Sequence, residues 1–86
     1  MASLNELIGH LQQAIEQIEQ ATDAAQASEN SAGELHSMYA GMDDEHKAAM
    51  MAGVKDGVEA WRGSLQSGID QGRRLVEQVK AVKGGG

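Results

Sequence analysis

From Leu4 onward the apolar and small residues recur at alternating steps of four and three: Leu4, Ile8, Leu11, Ile15, Ile18, Thr22, Ala25, and then Ala32, Leu35 and Tyr39. That spacing keeps one stripe turned toward a partner helix and predicts a helix over residues 3–40. Ser3-Leu4-Asn5-Glu6 opens it as a capping box. The stripe turns small and polar at Ser28-Glu29-Asn30-Ser31, where a break or frayed turn could fall. A second stripe, Met51, Val54, Val58, Trp61, Leu65, Gly68, Gly72, Leu75, Val79 and Val82, predicts a helix over residues 44–83. Between the stripes, Gly41 suits the left-handed position that ends a helix, and Asp43 is a good N-cap for the next. Lys80 and Lys83 fall in the last turn, where cations are favoured, and Gly84 is expected to stop the helix. Residues 1–83 then form one helical-hairpin domain, and 84–86 a flexible glycine tail.

A hairpin turning near residues 42–43 pairs positions whose numbers sum to about 85. In that register Ile15 and Ile18 meet Gly72 and Gly68, and Trp61 is a buried knob against Ala24, Ala25 and Ser28. Large residues facing small ones let the layers interdigitate. The same register sets Glu6 near Lys80, Asp23 near Arg62 and Glu29 near Lys55. Gly53/Gly57 and Gly68/Gly72 are both G-x-x-x-G pairs and suggest close approach of another helix backbone. A second apolar set, Leu7, Ala14, Ala21, Met38, Met50, Ile69 and Val76, flanks the stripes. It widens the apolar face beyond what one partner helix covers. The expectation is an all-α antiparallel two-helix hairpin that associates into a four-helix bundle, as a homodimer or with another helical protein.

Composition narrows this further. The 86 residues include no proline, cysteine or phenylalanine, and only Tyr39 and Trp61 as aromatics. Such an inventory fills a thin seam between helices but not a thick globular core, and the absence of proline permits long uninterrupted helices. The net charge of −6 argues against nucleic acid and anionic membranes as partners. Its distribution is uneven: residues 1–42 carry six acids and no Lys or Arg, and residues 43–86 carry seven acids and all seven bases. No apolar run is long enough to span a bilayer. The N-terminus lacks the basic and apolar regions of a conventional signal peptide, so cytoplasmic and signal-independent exported locations both stay open.

Candidate chemistry is thin. His36 and His46 flank the turn with Glu34, Asp43 and Asp44 nearby, but no pair has i, i+4 spacing and no Glu-x-x-His element occurs. Neither a metal nor another cofactor is expected. No cysteine is present, no serine is spaced to join a His–acid pair, and the glycines lie within a helix where a phosphate loop needs one before it. Catalytic residues are therefore not assigned, and the chain reads as a non-enzymatic, partner-binding protein.

Trp61-Arg62-Gly63 matches W-x-G, and Tyr39-Ala40-Gly41-Met42-Asp43 matches Y-x-x-x-[DE]. With its size, acidity and hairpin architecture, the chain resembles the WXG family of small type VII-secreted proteins. The resemblance implies helical hairpins that pair into four-helix bundles, with Trp61 and Gly63 as one motif and Tyr39 and Asp43 as a secretion-associated one. In the family W-x-G forms the turn and Y-x-x-x-[DE] follows the second helix. Here the first falls inside the second predicted helix and the second falls at the turn. Two function classes follow: a secreted or secretion-linked helical partner protein, and a cytoplasmic adaptor or structural protein that self-associates.

Overall fold

The computed structural model describes Ala2–Gly85 and consists of two helices, α1 (Leu4–Gly41) and α2 (Glu45–Gly85). They fold back on each other as an antiparallel hairpin measuring 65 × 15 × 15 Å. Ser3 caps α1 in extended backbone, its Oγ accepting from the Glu6 amide at 3.0 Å. No break falls at Ser28–Ser31; α1 runs through it, because Glu29 occupies the seam there and finds an ion-pair partner. α2 continues through Gly84 to Gly85 instead of stopping at Gly84, and Gly86 lies outside the described residues.

The turn differs from expectation by one or two residues. Gly41 is the last residue of α1, and the left-handed position is taken by Asp43, with φ 58°. The Asp43 amide donates to the Ala40 carbonyl at 3.2 Å and the Asp44 amide to the Tyr39 carbonyl at 2.9 Å. This is a Schellman closure with aspartate where glycine is usual. The N-cap of α2 is accordingly Asp44, not Asp43: its Oδ1 accepts from the Lys47 amide at 3.1 Å.

The seam follows one heptad frame along both helices. In α1 the a positions are Ile8, Ile15, Thr22, Glu29 and His36, and the d positions Leu11, Ile18, Ala25, Ala32 and Tyr39. All are at least half-buried. In α2 the d positions are Met51, Val58, Leu65, Gly72 and Val79, as the second stripe predicts. The a positions, however, are Ala48 and then Lys55, Arg62, Ile69, Val76 and Lys83, these five each one residue beyond the expected Val54, Trp61, Gly68, Leu75 and Val82. Ile69 and Val76, read from sequence as flanking, are among the most buried residues of α2, whereas Val54, Trp61, Leu75 and Val82 face outward. α2 is therefore rotated by part of a turn from the orientation that its own apolar stripe favours. In α1, Leu35 is exposed while His36 holds the seam, and Leu4 is exposed beyond the end of the packed layers.

The expected meeting of bulk with glycine is present. A Cβ built on Gly72 would lie 2.8 Å from Ile15 Cγ1, and one on Gly68 3.8 Å from Ile18 Cδ1. The ion pairs are others than those expected. Arg62 Nε donates to Glu29 Oε2 at 3.0 Å and Arg73 Nη2 to Glu19 Oε1 at 3.3 Å, while Lys80 bridges to Glu77 within α2. Lys55 lays its stem against Gly33 instead of pairing with Glu29. Facing residues sum to about 87 rather than 85, and with α2 rotated this brings Arg62, not Lys55, to Glu29.

Candidate functional site: an uncharged face of the hairpin

The heptad frame assigns each remaining residue to a side of the molecule. Antiparallel helices set e positions against e and g against g, and the Glu19–Arg73 pair is one such e–e contact. The c and g positions of both helices therefore share the opposite side. Of the exposed large apolar side chains among the described residues, every one except Leu4 lies at c or g. From α1 and its C-cap these are Leu7, Leu35, Met38 and Met42; from α2 they are Met50, Val54, Trp61, Leu75 and Val82. Between them lie Ala14, Ala21, Ala24, Ser28 and Ser31 of α1 and Gly57, Ser64 and Gly68 of α2, with the polar, formally uncharged His10, Gln17, Gln71 and Gln78 at the remaining exposed c positions of the middle turns and free end. Trp61, at 55% exposure, stands near the middle of this face.

Charge is partitioned just as sharply. From Leu4 to Gly41 and from Ala48 to Gly85 every Asp, Glu, Lys and Arg sits at a, b, e or f, and none at c, d or g. On these two helices the frame thus leaves a continuous neutral ribbon, broken only by Lys47 in the first turn of α2. The e side is polar: Gln12, Glu16, Glu19, Arg73, Glu77 and Lys80 line a shallow open groove there. A helix carrying apolar residues at a, d and g is as wide as a bundle helix requires, and wider than a two-stranded seam needs.

The motif residues are placed as follows. Trp61 and Gly63 lie within α2, Trp61 on the neutral face and Gly63 at an exposed b position. Tyr39 is half-buried at the last d position of α1, with the Lys47 ammonium 5.5 Å from its ring centre. Asp43 is the left-handed turn residue. The His36 ring donates from Nδ1 to the Ala48 carbonyl at 2.8 Å and so ties α1 to the start of α2. Among the described residues no three His, Asp or Glu side chains group to hold a metal ion. No helix among them is long and apolar enough to cross a membrane.

Fold and face together describe an antiparallel helical hairpin with one side nearly free of charge. The sequence matches no family model, and neither a curated protein nor a solved structure is significantly similar to it.

Proposed function

We propose that this chain is a non-enzymatic helix-binding module whose c/g face docks against the helices of a partner. The observation that carries this reading is the coincidence of two independent patterns on one side of the hairpin. Nearly all exposed large apolar groups lie there, and the charges of both helices, Lys47 apart, are kept away. Exposed apolar residues scattered over a surface need no explanation, whereas their concentration on one side points to an interaction site. The central position of Trp61 fits the usual anchor of such a site.

Incorporation of a photo-reactive benzophenone residue tests the reading in the native cell. At position 61 on the face it should give discrete crosslinked products, and at the b position of Asp70 it should not. Equal labelling at both positions, or none at either, overturns it. An export role of the kind the WXG resemblance implies would additionally require Tyr39 and Asp43 to be read by a transport machine. Both have local structural duties at the turn, so Asp43→Asn, which tolerates a left-handed backbone, should leave any export intact. Fractionation of cells and medium measures this.

A further inference from the structure

We infer that the occupant of the neutral face is a second copy of this chain, laid antiparallel to the first so that each turn lies over the other's free end. This rests on the face being a docking surface, as proposed above, and names what docks. Area, packing and charge each favour it.

The face is as long as the molecule, and 65 × 15 Å gives a footprint of about 1,000 Å², above the roughly 800 Å² per partner that stable complexes bury. A two-fold dimer needs a surface complementary to itself. With the ends flush and the turns at opposite ends, α1 lies over the second copy's α1 and α2 over its α2. The g positions of α2 then pair across the interface in sums of 129. Trp61 falls on the second copy's Gly68, and Val54 on its Leu75. Gly68 lies beside Ala21, both half-buried and neither larger than a methyl group, so they form the hollow that an indole would fill. The parallel alternative stacks the Ala21–Gly68 layers of both copies and leaves that space empty, a costly packing defect.

Charge selects the same arrangement. The half of the hairpin around the turn, residues 23–64, carries eight carboxylates and three cations. The free half, residues 2–22 and 65–85, carries five and four. A parallel dimer sets the two strongly acidic halves side by side, while the antiparallel one sets each against the nearly balanced half. Lys47 is the one charge on the face and falls on the second copy's Val82, so two chains of charge −6 can meet there without setting like charges against each other.

The purified full chain is the material for the test. Sedimentation and light scattering should give about 18 kDa, twice the 9.1 kDa of one chain. Trp61→Glu and Gly68→Leu should each raise the dissociation constant by at least about 100-fold, since they charge or fill the centre of the interface. Helical circular dichroism should be retained by both. The chain has no cysteine, which allows orientation to be read from single substitutions. In the antiparallel dimer, Ser64→Cys lies within one residue of the two-fold axis and Ala24→Cys within two, and each should form a disulfide with its own kind. In the parallel dimer residue 24 meets residue 64, and only a mixture of the two variants crosslinks efficiently. A 9 kDa species at millimolar concentration, a dimer indifferent to both face substitutions, or crosslinking confined to the mixture overturns the proposal. A monomer whose benzophenone at position 61 captures a different protein defeats the second copy and leaves the docking face standing. A monomer that captures nothing defeats both.

Discussion

At the residue scale, the two aspartates of the turn divide its work. Asp44 is a helix cap, and its replacement by alanine removes the oxygen that accepts from the Lys47 amide. Asp44→Ala should destabilise the hairpin by about 1 kcal/mol in urea titration. Asp43 spends its backbone in the left-handed region. Asp43→Gly should be neutral or mildly stabilising there, and Asp43→Val should cost about 1–2 kcal/mol because a β-branched residue resists that conformation. If the two substitutions behave alike, the Schellman closure does not describe the turn in solution.

The glycines of α2 divide by what surrounds them. Gly53 faces open space, so Gly53→Ala should stabilise by about 0.5–1 kcal/mol through helix propensity alone. At Gly72 the added methyl would lie 2.8 Å from Ile15, a branched side chain in a packed seam. Gly72→Ala should therefore lose more to overpacking, about 1–3 kcal/mol, than it gains in propensity. Thermal melting of the pair gives the comparison, and a higher melting temperature for Gly72→Ala would contradict the close contact.

At the scale of the elements, the rotation of α2 is the main point. Its g stripe of Val54, Trp61, Leu75 and Val82 is more apolar than its a stripe, which includes Lys55, Arg62 and Lys83. Burial area within α2 alone would put the g stripe inward. The opposite happens because α1 has its own fixed pattern. Glu29 sits at an a position of α1 with its side chain only 13% exposed, and it requires a cation. The rotation that delivers Arg62 to it also seats Ile69 and Val76 in the seam and leaves room at Gly72 for Ile15. Arg62→Ala should accordingly cost about 1–3 kcal/mol, because Glu29 loses its charged hydrogen-bond partner in a largely desolvated place. Arg73→Ala breaks a pair exposed to solvent on both sides and should cost less than about 1 kcal/mol. Equal losses in chemical denaturation would remove the reason offered for the rotation.

At the scale of the whole molecule, one hairpin buries one stripe per helix and leaves its largest side chain outside. Trp61→Ala should therefore change the stability of the isolated hairpin little, by less than about 0.5 kcal/mol, as for other surface sites. The same substitution should weaken association strongly. Each copy carries a net −6, so a dimer held by a neutral face works against long-range repulsion, which salt screens. Its dissociation constant should fall as sodium chloride is raised from about 50 to 500 mM, as read by sedimentation. A rise over that range would mean that ion pairs across the interface hold the copies together.

The sequence alone determined the two helices, their capping at Ser3, the antiparallel hairpin and the d positions of both seams. These depend on local periodicity, on the absence of proline and on a loop too short for any other connection. It also placed Ile15 against Gly72, because a bulky residue and a glycine at matching distances from the turn have little freedom to avoid each other. What only the tertiary structure decided was the rotation of α2, and with it the fate of Trp61, Val54 and Leu75. Periodicity identifies apolar positions, but when a helix carries apolar residues at a, d and g it leaves two adjacent stripes to choose between. The choice lies in the other helix, through the demand of Glu29 for Arg62 and the shape of Ile15. The neutral face was unreadable for the same reason. Each half of it runs along a different helix, and the two become one surface only once the rotation is set.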